Sequence, residues 1–192
     1  MIFKEVIPII REIPSTTEGR DCEEIFRIGS LVKENGVIIE TGTGNGRVTT
    51  VLALATMNKN VKIITIDDYS ETKRYSADKP VWSLDYAKNI FKKLGIIKNI
   101  EIVSNKTINY LKRYKGRIDL IYLDDCHLYK IVKEEIRLSK RIMKDGIIAG
   151  HDYNNWCSDG IAVSKAVDEE FKKEELNKYN TVWSVNYKKE TK

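Results

Sequence analysis

Apolar positions along this chain repeat with two different periods, and the two periods take turns. Short, mainly apolar runs stand at residues 37–39, 61–66, 100–103, 118–123 and 147–149, each with β-branched residues. Runs of that length and content predict strands buried on both faces, the pattern of a parallel sheet covered by helices. Between them the spacing changes to three and four. Cys22, Ile25, Phe26, Ile28, Leu31 and Val32 make a helix-period set, and Ser15-Thr16-Thr17-Glu18 before it has the spacing of a capping box. Gly36 is the expected stop. Further helices are predicted over about 48–57, 78–94 with Pro80 in its first turn, 107–114, 129–143 and 161–173, with Gly95 closing the second of these. Residues 181–187 alternate apolar and polar, which predicts a terminal strand, antiparallel and at the sheet edge. Strand and helix in alternation give an α/β fold. No internal repeat or low-complexity linker interrupts it, so the expectation is a single domain over residues 1–192, with 1–35 as a helical cover and 36–192 as the core.

The most informative junction is the first strand, Val37 to Glu40, with the turn after it, Thr41-Gly42-Thr43-Gly44-Asn45-Gly46-Arg47. Alternating glycines let the backbone turn sharply and let a ligand come close, and the next helix offers unpaired N–H groups. Arg47 stands where the dinucleotide fingerprint G-x-G-x-x-G wants its third glycine, and no Gly-Lys-Ser/Thr comes after it, which removes a P-loop. Glu40 would repel a phosphate, but it can hold an ammonium group or order the loop. That charge arrangement suits S-adenosylmethionine (SAM).

Composition narrows the class. At 192 residues and 42% hydrophobic content the chain can build a sizeable core. Cys22, Cys126 and Cys157 have no CxxC spacing and cannot all pair, so a disulfide framework or zinc knot is not expected, and a reducing cytoplasm fits. The amino terminus mixes charges into its apolar residues, and neither a signal peptide nor a spanning helix is readable. The net charge of +5 comes from lysines interleaved with acids, a solvated surface rather than a nucleic-acid groove.

Residues 40–46, E-T-G-T-G-N-G, resemble the first motif of class I SAM-dependent methyltransferases, E/D-x-G-x-G-x-G. The strand at 61–66 ends in Asp67-Asp68, and the resemblance implies that Asp67, or Asp68 as the alternate, accepts hydrogen bonds from the ribose hydroxyls. Ser104 and Asn105 resemble the position beside the adenine, although a loop turn held by an Asx bond explains them equally. Downstream, Asp124-Asp125-Cys126-His127-Leu128-Tyr129, Gly150-His151-Asp152-Tyr153 and the segment 160–171 are similar to the D-G-D-H-S-Y, G-H-D-Y and G-V-x-x-A-V-D-E-F segments of methyltransferase family 24, a small-molecule branch. The likeness runs from about Glu18 to Phe171 and departs at Asp125 and Cys126. It implies a Rossmann-like three-layer sandwich with a mostly parallel seven-stranded sheet whose last strand is antiparallel. It also implies SAM as cofactor, bound by Glu40, Gly42, Gly44, Gly46, Asp67, Ser104, Asn105 and Asp124.

Methyl transfer from a sulfonium needs an acceptor lone pair held in line with the S–CH3 bond, and a hydroxyl acceptor must lose its proton. His127 and His151, the two histidines of the chain, both fall at strand exits, with ordinary pKa values near 6.5 that suit proton abstraction. Together with Asp124 they are the catalytic candidates. Metal assistance is the rival: Asp124 and Asp152 match the acids that bind magnesium in catechol- and sugar-type O-methyltransferases, but His151 replaces an oxygen ligand, which manganese or iron tolerates better. Trp82, Trp156, Tyr129 and Tyr153 either wall a pocket or fill the core. Residues 69–79 read as a lid or a surface loop. The expected reaction is SAM-dependent methylation of a small molecule, at a hydroxyl oxygen. Two alternatives stay open: an NAD(P)-dependent oxidoreductase, and a non-catalytic SAM-binding or RNA-associated module. A homodimer is left open too.

Overall fold

A computed structural model of the chain describes residues 1–70, 82–155 and 161–189. Within them seven strands form one sheet: β1 (Val37–Thr41), β2 (Lys62–Asp67), β3 (Ile100–Ser104), β4 (Leu120–Leu123), β5 (Asp145–Gly150), β6 (Leu176–Tyr179) and β7 (Val182–Lys188). Their spatial order is β3-β2-β1-β4-β5-β7-β6. The first five are parallel and β7 runs against both of its neighbours. This is the class I methyltransferase arrangement.

Among the described residues seven α-helices cover the sheet: α1 (Phe3–Arg11), α2 (Gly19–Ser30), α3 (Arg47–Ala55), α4 (Leu84–Lys93), α5 (Thr107–Arg113), α6 (Tyr129–Ile142) and α7 (Ala162–Glu170). Strand alternation sorts the core into two layers. Ile38, Ile63, Leu120 and Tyr122 join Val6, Ile25, Leu52 and Phe91 of α1 to α4 on one face. Their sequence neighbours Ile39, Ile64 and Ile121 join Leu111, Ile136 and Val167 of α5 to α7 on the other. Burying one such side chain contributes about 1.5–3 kcal/mol, so a one-residue slip of any central strand would be severely penalised.

The sequence expectations differ from the structure at three described places. Residues 15–18 do not form a capping box: Glu18 is the N-cap of α2 and makes no side-chain cap bond, while the Ser15 hydroxyl accepts from the Thr17 N–H. The segment is held by other means, because the Arg47 guanidinium donates to the Ile13 and Thr17 carbonyls and the Asn45 amide to that of Pro14. The terminal strand is antiparallel as expected but is not the edge. Val182 is buried in one core layer and Trp183 and Val185 in the other, and the backbone of β7 pairs with β5 on one side and with a second strand on the other. The second neighbour is β6, a short strand whose polar sequence carries no strand signal, and α7 stops at Glu170, short of the expected 173. The first-turn Pro80 and most of the residue 69–79 segment lie outside the described residues, and α4 is described from Leu84.

The strand order reverses between β1 and β4, and in open sheets of this kind ligands bind in the crevice outside the strand ends at that switch point. Glu40, Asp67, Asp124, His151 and Asp152 all stand at or just beyond the carboxyl ends of their strands.

Candidate active site

The glycine turn leaves β1 with Gly42 at φ +84° and Gly44 at φ +50°, conformations that a side chain strongly disfavours. A β-carbon at residue 42 would lie 2.2 Å from the Asp124 carbonyl oxygen, and one at residue 44 would lie 3.2 Å from the Trp82 ring. The missing β-carbons therefore let the turn pack against the protein itself, against the exit of β4 and under an aromatic ring, rather than only against a ligand. Asp124 is tied to the same turn by its N–H, which donates to the carbonyl and hydroxyl of Thr41.

Glu40 is fully buried behind the turn. Its Oε2 accepts from Thr49 Oγ1 at 2.5 Å and from Thr65 Oγ1 at 2.6 Å, and Thr43 Oγ1 lies 2.6 Å from Thr65 Oγ1. Since the Thr65 hydroxyl spends its one hydrogen on Glu40, Thr43 donates to Thr65, and a chain of hydroxyls links the glycine turn to the acid. Burial pushes the Glu40 carboxyl up to about 8, against the two hydroxyl bonds that favour its anion. Of the two roles expected for Glu40, ordering the loop is the one its bonds serve. Its Oε1 has no hydrogen-bond partner among the described residues.

Asp67 faces the turn from β2. Its Oδ2 accepts from the Gly44 N–H at 2.9 Å and its Oδ1 from the Tyr69 N–H at 2.7 Å, while Asp68 turns away and accepts from the Ser70 N–H. Asp67 stands half-buried at the mouth of the crevice, and a carboxylate oxygen can accept more than one hydrogen bond, as pairing with a vicinal diol requires. The Asn105 N–H donates to the Asp67 carbonyl, and Ser104 is exposed at the end of the edge strand β3. The turn, Asp67 and Asn105 thus fit a nucleoside lying across the ends of β1, β2 and β3.

The other half of the crevice is charged. His127 Nε2 lies 2.5 Å from Asp152 Oδ2 and 4.0 Å from Asp124 Oδ1. His151 Nδ1 lies 3.2 Å from Asp152 Oδ2 and 3.7 Å from Asp124 Oδ1, and its Nε2 lies 3.3 Å from Asp21 Oδ2 and 3.0 Å from Thr181 Oγ1. Asp152 holds φ +60°, an uncommon conformation for a residue with a side chain, fixed here by the histidines and by the Asn155 amide. Burial alone would lower the His151 pKa, but the Asp124 charge and the bonds to Asp152 and Asp21 reverse that and carry it up to about 11. The near-neutral imidazole expected at His151 meets a different setting: both of its nitrogens are engaged among three acids, which favours the protonated ring. The bond to Asp152 raises His127 as well, against burial. Burial lifts Asp124 to about 6, partly offset by His151, whereas the two histidines outweigh burial at Asp152 and hold its carboxyl far below the usual range.

One oxygen each of Asp124 and Asp152 and a ring nitrogen of His151 lie within 4.8 Å of one another, close enough to share one divalent cation. Two oxygens and a nitrogen suit manganese or iron better than magnesium, as the sequence implied. Behind this cluster a pocket is lined by Leu123, Cys126, Val132, Glu135, Val163 and Trp183. Tyr153 and Tyr129 belong to the packing of α7, their hydroxyls donating to Asp168 and Glu169, while Trp82 covers Gly44. Trp156 and Cys157 fall outside the described residues.

Sequence reasoning missed Asp21, Thr181 and Glu135. Asp21 and Glu135 are each about 1% exposed, and Glu135 is raised well above the carboxylate range by burial. A signal existed. Asp21 lies four residues before Ile25 and Glu135 three after Val132, so both are acids on the apolar stripe of a helix. Thr181 had none, since its partner is 160 residues away.

Comparison with known proteins agrees with this geometry. The sequence model of methyltransferase family 24, described as a methyltransferase domain, matches residues 39–153. Among solved structures, the cofactor-bound protein Rv0187 from MTB superposes with a TM-score of 0.71 at 12% identity, over 97% of this chain and 89% of that one. The SAH-bound Podospora anserina methyltransferase PaMTH1 gives 0.68 at 16% identity, over 97% and 87%, and a SAM-dependent O-methyltransferase from Thermotoga maritima 0.64 at 16%, over 100% and 73%. At such identities these likenesses speak for the fold. A stretch of 72 residues, 35% of this chain, is 33% identical to the protein translocase subunit SecA of Thermodesulfovibrio yellowstonii, but it spans only 8% of that protein. No helix among the described residues is long and apolar enough to cross a membrane. With the family's motif on the glycine turn and its acids gathered at the switch point, the chain belongs to methyltransferase family 24 and is a SAM-dependent methyltransferase.

Proposed function

We propose that this enzyme transfers the methyl group of SAM to a hydroxyl oxygen of a small molecule. The observation that carries the reading is the double attachment of Asp124: its backbone packs on Gly42 of the cofactor turn, and its carboxylate joins the His127, His151 and Asp152 cluster. A methyl donor on the turn and an acceptor at the cluster are then neighbours.

Asp67 takes the ribose hydroxyls in this reading, Gly42, Gly44 and Gly46 shape the turn beside the methionine part, Glu40 orders it, and Asn105 and Ser104 flank the adenine. His127 is the base. Its side chain is 39% exposed, Nε2 is held by Asp152, and Nδ1 has no hydrogen-bond partner among the described residues, which leaves that atom to receive the acceptor's proton. As the oxygen–carbon bond forms, the S–CH3 bond breaks, its electron pair stays on sulfur, and the hydroxyl proton moves to His127 Nδ1. His151 is not placed to take that proton, since Asp21 and Thr181 engage its Nε2 and Asp124 and Asp152 face its Nδ1.

The cation-sized grouping of Asp124, His151 and Asp152 supports a second reading, in which these three residues would hold a divalent ion that would supply Lewis-acid activation of the acceptor hydroxyl. The deciding experiment is labelled SAM with a panel of catechols, sugars and hydroxy acids, with EDTA and with manganese or magnesium restored. Labelled O-methyl product that survives EDTA supports the His127 base. Product that needs the metal supports the second reading, and label entering RNA or amines alone refutes both.

A further inference from the structure

We infer that Asp21 is a positioning residue for the reaction centre: from α2 it grips the His151 ring through Nε2 and so sets Nδ1 against Asp124 and Asp152. The inference rests on the reading of His151 as part of that centre. Asp21 lies outside the span matched by the family model, as do Asn180 and Thr181, so the support for His151 is built by this chain's own flanks.

Burying a carboxylate costs several kcal/mol unless its oxygens are satisfied. Asp21 Oδ1 is satisfied by the turn between β6 and β7: it accepts from Asn180 Nδ2 at 2.8 Å, the Thr181 N–H at 3.2 Å and Thr181 Oγ1 at 3.0 Å. Oδ2 is left for His151 at 3.3 Å. The Thr181 hydroxyl decides the direction of the chain. It has one hydrogen, which goes to Asp21, so at 3.0 Å from His151 Nε2 it can only accept. Nε2 must therefore be the donor, to Thr181 and Asp21 together, and a ring fixed at that edge presents Nδ1 to the acids opposite. The turn is itself specified for this purpose, with Asn180 at φ +53° held by the same carboxylate.

A plainer role is that Asp21 only anchors the turn. Asp21→Asn separates the two, because the amide oxygen still accepts from Asn180 and Thr181 while its NH2 meets the Nε2–H donor head on. In protein labelled with 15N-histidine, which has two histidines to assign, the His151 Nε2–H resonance should persist in wild type and be lost or displaced in Asp21→Asn. With whichever panel acceptor turns over, kcat should fall about tenfold or more while SAM affinity stays within about threefold. Thr181→Ser should behave as wild type, and Thr181→Val should displace the same resonance without loss of the Asp21 carboxylate. A His151 resonance unmoved by Asp21→Asn overturns the inference, as does a fall in kcat matched by an equal fall in SAM affinity. If no acceptor turns over in wild type, it is the methylation reading that fails, and the ring resonance still decides the role of Asp21.

Discussion

The two halves of the crevice are built on opposite plans. At the ends of β1 and β2 the chain shapes the seat we propose for the cofactor from backbone: left-handed glycines, N–H groups accepted by Asp67, and a buried Glu40 held by threonine hydroxyls. At the ends of β4 and β5 it gathers side chains instead, with Asp21, Asp124 and Asp152 around His151 and with His127 at the mouth. One half depends on shape and the other on charge, so substitutions in the first should act on folding and cofactor affinity, and those in the second on turnover and on pH.

Gly42→Ala should have the largest effect. The added methyl would sit 2.2 Å from a backbone oxygen that cannot swing away, and at φ +84° the new residue is strained as well. A loss of about 3–5 kcal/mol, or no soluble protein, is expected by urea denaturation. A loss below about 1 kcal/mol would mean that the turn and the exit of β4 are not packed together.

Asp152→Asn and Asp67→Asn sharpen the contrast directly. The first removes the shared partner of both histidines and should lower turnover about a hundredfold with SAM affinity nearly kept. The second should weaken SAM binding about tenfold, since a charge-assisted hydrogen bond is worth roughly 1.5–3 kcal/mol. Calorimetry with SAM beside steady-state rates would show it, and parallel losses in both variants would erase the distinction.

The charged half also makes a stability prediction. His151 is raised from its ordinary 6.5 to about 11, so the stability it contributes is complete below pH 6.5 and is lost as pH rises through about 11. Asp152 is held low, and its contribution is present above the ordinary carboxylate range and lost as pH falls through the folded value. Thermal melts of wild type should therefore decline between pH 7 and 10, and His151→Gln should flatten part of that slope. An unchanged slope would remove His151 from the account.

The same division explains what the sequence revealed. The proposed cofactor half is nearly continuous, seven residues at 40–46 and an acid one βα unit later, and local sterics dictate it, so the glycine turn and the place of Asp67 beside it were readable. The sheet was readable too, from apolar runs at β1 to β5, except for β6, whose polar Leu176–Tyr179 carries no buried-strand signal. The charged half is assembled across long separations. Asp124, His127, His151 and Asp152 announced themselves at strand exits, but the proton state of His151 depends on Asp21 and Thr181, which no local pattern joins. The ordinary value near 6.5 was all the sequence could offer for His151, because a pKa is a property of the assembled surroundings.

Glu40→Gln should have the smallest effect on cofactor affinity, and that makes it the sharpest test of the backbone half. An acid at this position invites the reading that its charge holds the cofactor's ammonium group. The structure puts it behind the turn with no exposed surface, raised to about 8, hence mainly uncharged at neutral pH. Glutamine keeps the oxygen that accepts from Thr49 and Thr65, so near pH 7 SAM affinity should change less than threefold. Near pH 5, where wild type is protonated as well, stability should differ by under about 1 kcal/mol. The raised pKa gives the sign at higher pH: the folded state holds the proton more tightly than the unfolded chain, so wild type loses stability from about 4.5 upward through 8, whereas Glu40→Gln has no such loss. The variant should therefore gain on wild type as pH climbs toward 8 in paired melts, and gain no further above it. A tenfold loss of SAM affinity at pH 7 would instead place an ionised Glu40 against the cofactor, and the cofactor half would then rest on charge as much as its neighbour does.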